Sequence, residues 1–425
     1  MDTPISPTFV FEPNSQRFAD DPYPDYAWLR ENAPIYHWQE RDALVVSRMA
    51  EMRAFFQEPR LSVDVRKWEH FPGSELFDQP RYAAWSRLNR HGLFQLPPED
   101  HARVRKLASV ALTPRAVRRM DDAVQRAVDE SLAQLIASDD DGVVNLRSYA
   151  EQIPLTVICD LLGVPDDYRA DFRTFGKAMI KGVQPYLEVE ELDEVADAAT
   201  AGVAMLDKMI DDRRSQRGDD DRPQNLLTDL IDACEDDQRL TNDELVALVH
   251  ALIIAGSDTT VHATCYAVRA LLNHPEALRE LQADPSLMRG AIEESLRWDL
   301  FGKIGVMRYA TEDFELCGVP VRKGQLVAAL IGAVGRDPDV YEDPDRFDIH
   351  RDHLPNITFG LGRHFCLGAN LARSELNHAV QTLLVDRFPE AELAGEAEID
   401  GNNPVMRSME RLPIRLGPDH GKGQA

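Results

Sequence analysis

The chain has 425 residues, 44% hydrophobic and 28% charged, which is typical of a globular protein that buries a large core. Its formal net charge of −26 argues against a nucleic-acid binder, because phosphate groups require a basic surface. The five cysteines are scattered and include no CxxC pair, which argues against a disulfide framework or zinc ribbon and fits a reducing cytoplasm. The N-terminal segment has neither the basic start of a signal peptide nor an apolar run long enough to span a bilayer. We therefore expect a cytoplasmic monomer that is not attached to a membrane.

Helix-start signals recur between about residues 100 and 300, the part of the chain that we predict to be rich in helices. At residues 97–100, 274–276 and 284–286, proline is flanked by acidic or polar residues. Proline in a first helical turn costs no hydrogen bond, and acids there suit the helix dipole. Each of these positions therefore predicts the start of a helix.

The longest predicted helix begins at Thr241, whose hydroxyl can form a capping box with the carboxylate of Glu244, and runs to about Asn273. At 1.5 Å per residue such a helix is roughly 48 Å long. Its middle is almost entirely apolar, so we expect it to pass through the core rather than lie on the surface.

The character of the chain changes after this helical part. Residues 305–330 contain short β-favouring runs broken by glycine and proline, and an irregular segment follows at 335–359. A further helix is predicted at about 367–387, and β-containing segments near the N-terminus and at about 395–416. No repeat or linker separates independent units. We predict a single domain over residues 1–425, mainly α with a smaller β region.

A glycine-rich loop runs from Phe359 to Gly368 around Cys366, with Gly360 and Gly362 inside it. Glycines permit a tight backbone path, and the positive end of the following helix favours a cysteine thiolate. The loop resembles the haem-binding signature of the cytochrome P450 family, FxxGxxxCxG, at every fixed position. The resemblance implies that Cys366 is the axial ligand of haem b and that Phe359, Gly360 and Gly368 lie against this cofactor. The alternative is a glycine-rich loop with an inert cysteine, as we interpret the other four cysteines.

The resemblance also implies the fold and the reaction class. The fold would be a triangular, helix-rich single domain that holds haem between the long central helix and the helix after the cysteine loop. A thiolate ligand donates electron density to iron and favours O–O cleavage, which implies a monooxygenase with O2 as co-substrate. A haem-binding sensor without turnover and a helical interaction protein without haem are the competing hypotheses.

A polar segment interrupts the apolar middle of the long helix, from Ala255 through Gly256 and Asp258 to Thr259 and Thr260. A glycine inside a helix costs on the order of 1 kcal/mol, which suggests the close approach of a ligand. Adjacent hydroxyl groups can open the helix by competing for its carbonyls, so we expect a groove that holds dioxygen. The segment resembles the oxygen-activation motif of the family. By that resemblance Ala255 and Gly256 lie against the cofactor, Thr259 hydrogen-bonds the bound oxygen and Asp258 relays protons; an ordinary polar kink is the alternative.

The pair Glu294 and Arg297 matches the ExxR motif of the same family, and its spacing places both charges on one helix face. In isolation such a pair is often a surface ion pair. By resemblance it is buried, completed by Arg346 or Arg351, and holds the irregular segment and the cysteine loop in place without taking part in chemistry.

Four residues stand where the family supplies partners for the two haem propionates: His101, Arg105, Arg308 and His364. Arginine is suited to this task because it binds carboxylates through two parallel hydrogen bonds. A solvated surface charge for Arg105 and a helix cap for His101 are the alternatives. The orientation of Arg363 is left open.

Residues 101–120 contain six Lys or Arg residues and only neutral residues besides His101. By resemblance this stretch lies on the side of the haem where an electron donor binds. We predict that Arg103, Arg115, Arg118 and Arg119 attract an acidic ferredoxin or a flavodoxin, which receives electrons from an NAD(P)H-dependent reductase. A solvated basic face is the alternative.

The substrate pocket is expected to involve residues 77–94, 175–187, 302–306 and 404–406 together with Ala255, which are mostly apolar and indicate a hydrophobic small molecule. The run GLFQLPPEDHARVRKL is similar to myxobacterial members of the family that epoxidise macrolide polyketides. Lys303 leaves open a carboxylate-bearing substrate such as a fatty acid, although a lysine in a turn usually faces solvent. The sequence does not choose between hydroxylation and epoxidation.

Overall fold

Helices begin at or directly after the positions that the proline and acid patterns predicted. Helices start at Pro98 and Pro275, as expected. The signal at 284–286 starts a single 3-10 turn, Pro285–Leu287, which continues directly into a helix that begins at Met288. The described α-helices are α1 Gln16–Asp20, α2 Tyr23–Asn32, α3 Met49–Gln57, α4 Ala83–His91, α5 Pro98–Ser109, α6 Pro114–Arg118, α7 Asp121–Ala137, α8 Leu146–Leu162, α9 Asp166–Lys181, α10 Val189–Ser215, α11 Leu226–Glu235, α12 Asn242–Asn273, α13 Pro275–Ala283, α14 Met288–Trp298, α15 Ile331–Val334 and α16 Ala369–Val380.

This architecture comes from a computed structural model of the chain. Helices dominate and several small sheets accompany them, which confirms the predicted fold class, mainly α with a smaller β region. We expected a β-containing segment near the N-terminus and did not predict the helices α1 to α3 that accompany its strands. The structure describes residues 9–71, 78–138, 142–182, 189–219, 221–235, 240–352, 356–403 and 405–423.

The largest described sheet has five strands in the order β1-β2-β8-β5-β3. Strands β2 and β8 pair in parallel, with Leu44 opposite Val327, and the other neighbours are antiparallel. The described strands are β1 Ile35–Trp38, β2 Ala43–Val46, β3 Leu61–Ser62, β4 Val143–Asn145, β5 Val306–Ala310, β6 Phe314–Leu316, β7 Val319–Val321, β8 Leu326–Ala329, β9 Glu392–Leu393, β10 Glu398–Asp400, β11 Ser408–Arg411 and β12 Pro413–Arg415.

Both faces of the five-stranded sheet are buried. Ala43 and Val45 contribute to one apolar cluster, whereas Leu44 and Val46 contribute to another, because successive residues of a strand point to opposite faces. The main core lies among the helices. The sheet therefore joins an N-terminal segment to the region after α14 and fixes the position of β5, which carries one of the predicted haem partners.

The central helix α12 has the predicted start and end. The Thr241 hydroxyl accepts a hydrogen bond from the Glu244 amide, and the Glu244 carboxylate accepts one from the Thr241 amide. In the described part of the chain, α12 alone is long and apolar enough to cross a membrane. Of its most apolar stretch, 61% is buried inside the molecule, as expected for a core helix.

Candidate active site

Short backbone hydrogen bonds close the cysteine loop. The Cys366 amide donates to the Phe359 carbonyl (2.9 Å), and the Gly360 amide donates to the Ile357 carbonyl (2.8 Å). Gly360 and Gly362 have φ angles of +76° and +71°, which a side chain would strain. The predicted tight path is therefore present. It leads directly into α16 and leaves Cys366 exposed.

Burial and nearby donors act in opposite directions on the Cys366 thiol. Although part of Cys366 is reached by solvent, burial of its thiol raises the pKa above the ordinary value. The Gly368 amide, Arg105 and Arg373 oppose this effect without cancelling it. The donors act in the predicted direction, toward the thiolate, and burial of the sulfur opposes them. A metal ion deprotonates a coordinating thiol outright.

The central helix is accessible over one short stretch, residues 254–259, between long buried segments. Ala255 and Thr259 are exposed and, four residues apart, share one face of the helix. The Thr259 hydroxyl donates to the Ala255 carbonyl (2.8 Å), and α12 continues through this point. The predicted opening is therefore not seen, because the hydroxyl bonds back to its own helix without breaking the ladder.

Gly256 faces the Ile158 side chain of α8. A Cβ added there would lie 3.7 Å from the Ile158 side chain of α8, an ordinary van der Waals distance. A side chain at this position would therefore meet α8 at ordinary contact distance, and the close approach of a ligand to Gly256 stays a prediction.

A buried acid that the sequence analysis missed lies beside this motif. Glu375 of α16 is 2% exposed, and burial raises its pKa to about 8. A hydrogen bond from the Thr260 hydroxyl opposes this rise. The available signal was an acid one turn after Leu371 on the buried face of α16. The motif therefore has a second acid within reach, which contacts Thr260 and belongs to a different helix from Asp258.

Two histidines lie together at the edge of the cysteine loop. The rings of His101 and His364 have centroids 4.4 Å apart, and His101 is buried. Burial lowers the pKa of His364 to about 3, with further contributions from His101 and Arg308. Burial, Arg105 and Arg363 also lower the pKa of His101. Both rings are therefore neutral near pH 7, able to donate one hydrogen bond each to a carboxylate.

Arg308 is a buried cation without an acidic partner among the described residues. It is 2% exposed and donates from Nη1 to the carbonyls of Phe55 (2.9 Å) and Phe56 (3.1 Å). Its Nε has no hydrogen-bond partner in the described chain. Burial and Arg363 lower its pKa to about 10, so it remains charged near pH 7.

A cavity of about 370 Å³ is bordered by Arg308, His364 and Arg363. A buried guanidinium that borders a cavity and has no acidic partner among the described residues fits a carboxylate-bearing cofactor. Arg363, whose orientation the sequence left open, lines this cavity. The side chain of Arg105 instead donates to the Phe365 carbonyl of the cysteine loop. The residues present fit the propionates of a haem on this side.

The ExxR pair is completely buried. Arg297 donates to Glu294 through two hydrogen bonds of 2.6 and 2.7 Å, and it also donates to three carbonyls of the irregular segment. Arg351 lies 3.4 Å from Glu294 and completes the pair. The prediction that the Arg346 side chain completes the pair is wrong, because that side chain is 67% exposed. Arg346 takes part only through its backbone carbonyl, which accepts a hydrogen bond from Arg297.

Lys303 faces neither solvent nor a pocket. Its Nζ is buried and donates to the carbonyls of Gly401 and Asn403, both at 2.8 Å. Burial lowers its pKa to about 8. Both interpretations of this lysine are therefore corrected, because its side chain binds two loop carbonyls. Its amide donates to the Val405 carbonyl (2.9 Å), which joins two of the segments predicted to surround the substrate. Of those segments, residues 77, 183–187 and 404 lie outside the described residues.

The basic stretch divides into internal and exposed residues. Arg103 forms ion pairs with Asp100 and Glu244, so its predicted role in partner binding is not supported. Three further arginines, Arg115, Arg118 and Arg119, are exposed. They accompany two exposed apolar residues, Val110 (70%) and Phe365 (39%). Asn370 of α16 donates to the Leu112 carbonyl (3.2 Å), which brings this stretch against the start of the helix after the cysteine loop.

Comparisons with known proteins agree with this geometry. The model of the cytochrome P450 family matches residues 73–388. Epothilone C/D epoxidase of Sorangium cellulosum is 39% identical over 97% of this chain and 96% of its own length. Cytochrome P450 monooxygenase PikC of Streptomyces venezuelae is 36% identical over 94% and 92%. Among solved structures, epothilone B-bound cytochrome P450epoK has a TM-score of 0.87 and 38% identity, covering 96% of this chain and all of the other.

Proposed function

The chain belongs to the cytochrome P450 family, and from that premise we propose that it oxidises a macrolide polyketide with Cys366 as the axial ligand of its haem. Members of this family are monooxygenases that use haem with a cysteine thiolate ligand and O2. When bound, the haem activates dioxygen so that one oxygen atom enters the substrate and the other leaves as water. The observation that carries the assignment is the closed glycine loop that presents Cys366 at the start of α16.

The second support for the site is the set of donors around the cavity. Arg308 would hold one propionate with its guanidinium at the border of the cavity, and His364 with His101 would donate to the same side. Arg105 would act in two ways, because its guanidinium already binds the Phe365 carbonyl and lies close enough to Cys366 to lower its pKa. These residues orient the group and compensate its negative charges.

Proton delivery is the chemical task of the accessible stretch of α12. Thr259 would rotate its hydroxyl away from the Ala255 carbonyl and donate toward the oxygen that is reduced. Asp258, whose side chain is 20% exposed, would take up a proton from solvent and pass it on. Glu375, whose raised pKa favours the protonated form, hydrogen-bonds Thr260 at the buried end of this stretch and would be a second proton store.

The substrate class is supported by relatives and by the position of Lys303. The name of one relative, which this chain matches over 97% of its length, refers to epothilone. Lys303 is occupied by two carbonyls, so it offers no cation for the carboxylate of a fatty acid. We therefore prefer an apolar macrolide polyketide as the substrate. The chain does not distinguish hydroxylation from epoxidation, since both use the same oxidant.

Bacterial members of the family generally receive electrons from a ferredoxin and its reductase. The docking surface would consist of the exposed arginines Arg115, Arg118 and Arg119 around the apolar side chain of Val110. Positive charge would attract an acidic ferredoxin, and the apolar centre would hold it. NAD(P)H would supply the electrons. The bacterial sources of the relatives support a cytoplasmic location for this exchange.

The docking proposal is tested by reduction kinetics. Replacing Arg118 and Arg119 with glutamate should slow reduction by ferredoxin about tenfold at low salt and flatten its salt dependence. Arg289→Glu, an exposed arginine outside this stretch, is the matched control. Equal rates in all variants would reject this surface as the binding site.

The axial-ligand proposal is tested by the absorption spectrum of the reduced, carbon-monoxide-bound protein. Thiolate ligation moves the Soret band far to the red of that of histidine-ligated haem. Cys366→Ala should abolish the red-shifted band, whereas Cys317→Ala, at another exposed cysteine, should retain it. An unshifted band, or one that survives Cys366→Ala, would overturn the proposal.

With the band established, addition of an epothilone-type macrolide should displace the ferric Soret band, and no displacement would reject that substrate class.

A further inference from the structure

A buried histidine follows Asp258 by one turn of α12. His262 is 1% exposed, and its Nδ1 accepts a hydrogen bond from the Met409 amide of β11 (3.3 Å). A ring nitrogen that accepts a hydrogen bond carries no proton, so the proton of this imidazole is on Nε2. The contact with β11 therefore decides which nitrogen is the donor.

The donor nitrogen of His262 points toward the acid of the oxygen-activation motif. Nε2 lies 3.5 Å from Oδ2 of Asp258 and has no hydrogen-bond partner in the described chain. A buried N–H without a partner is unfavourable, so any rotation of Asp258 that shortens this distance is favoured. Residues four apart on a helix face the same side, which makes the contact possible without movement of the backbone.

The ring is held from the other side by a fixed strand. The carbonyl of Met409 accepts a hydrogen bond from Nη1 of Arg147 (2.6 Å), and Arg147 also pairs with Glu151 of its own helix. The Met409 peptide therefore lies between the guanidinium of Arg147 and the imidazole of His262. The side chains of Arg147 and His262 are 15% and 1% exposed, so the imidazole ring of His262 has little freedom to turn.

We infer that His262 is a positioning residue that uses its Nε2–H to hold the carboxylate of Asp258 in the orientation for proton relay. The inference rests on the proposed function, in which Asp258 passes protons toward Thr259. His262 touches neither substrate nor cofactor in this scheme and acts only through Asp258. Its anchor in β11 links the orientation of the acid to the strand that follows the predicted substrate segment at 404–406.

A double-mutant cycle tests this dependence. Asp258→Asn should lower product formed per NADPH by about a hundredfold, the size of a positioned proton donor, and raise the solvent isotope effect. His262→Leu should lower it about tenfold, because the acid is still present but less often in place. In the Asp258→Asn background, His262→Leu should cause no further loss. His262→Asn, which retains a donor and an acceptor, should restore most of the coupling.

The double-mutant cycle separates the relay role of Asp258 from the positioning role of His262. No effect of Asp258→Asn would reject the relay role of Asp258, and with it the proposed function of that residue. A strong effect of Asp258→Asn with a silent or an additive His262→Leu would reject the positioning role alone. Val268→Ala, at a buried position of the same helix further from Asp258, is the packing control and should leave coupling unchanged.

A second measurement does not depend on turnover. Nitrogen-15 spectra of the histidine-labelled carbon monoxide complex should show His262 with a proton on Nε2 and none on Nδ1. Asp258→Asn should shift the Nε2–H signal, and Val268→Ala should not. A ring protonated on Nδ1, or a signal indifferent to Asp258→Asn, would overturn the inference even if the variants lose activity.

Discussion

Replacing Glu375 with glutamine should remove a pH dependence of stability from the protein. Burial of this carboxyl, which is 2% exposed, raises its pKa from 4.5 to about 8. Between these pH values the folded protein binds the proton and the unfolded chain releases it. The stability contributed by the protonated form is therefore complete below pH 4.5 and is lost as the pH rises to about 8. At about 1.4 kcal/mol per pH unit, the loss between pH 5 and 8 is about 4 kcal/mol.

The assay is urea unfolding of the haem-loaded protein at half-unit steps from pH 5 to pH 8. The quantity compared at each pH is the difference in unfolding free energy between the wild type and Glu375→Gln, because other titrating groups contribute equally to both. We expect that difference to shift against the wild type as the pH rises. Glu396→Gln, at an exposed position, serves as control and should show a constant difference. Parallel curves for the wild type and Glu375→Gln would refute the reasoning.

Three further substitutions test the buried scaffold. Arg297→Leu leaves Glu294 as an uncompensated buried charge and should cost about 3–5 kcal/mol in urea unfolding with loss of haem content, whereas Arg346→Leu should change neither. In Gly335→Ala, the new Cβ would lie 2.3 Å from the Arg297 carbonyl, so the variant should retain less haem after purification, and full retention would contradict the packing. Lys303→Met leaves two loop carbonyls unpaired and should cost about 1–3 kcal/mol by thermal or urea unfolding, with an unchanged carbon monoxide spectrum.

Features whose partners are close in sequence could be predicted. The capping box at Thr241 and Glu244 and the pair Glu294 and Arg297 each depend on residues three positions apart, where helical geometry fixes the contact. The loop around Cys366 was found for the same reason, since its glycines act on the local backbone. Local physics was sufficient for these elements.

Contacts between distant segments could not be predicted. The pairing of Glu375 with Thr260 depends on how α16 packs against α12, and a lone acid in a helix does not show its partner. Lys303 and Arg103 were misinterpreted because a charged side chain is usually solvated, whereas the loop at 401–403 and the carboxylate of Glu244 compensate them internally. Such assignments require the tertiary arrangement.

The parallel pairing of β2 with β8 has a consequence for the order in which the protein is made. The ribosome synthesises β2 early and β8 much later, so the five-stranded sheet closes only when most of the chain has emerged. Contacts so distant in sequence carry a large loop-closure cost and slow folding. Until then the apolar side chains of the β1–β2 hairpin await their partners and are targets for chaperones. Because Arg308 reaches the cavity from β5 of the same sheet, we expect stable haem retention to begin only after that late closure.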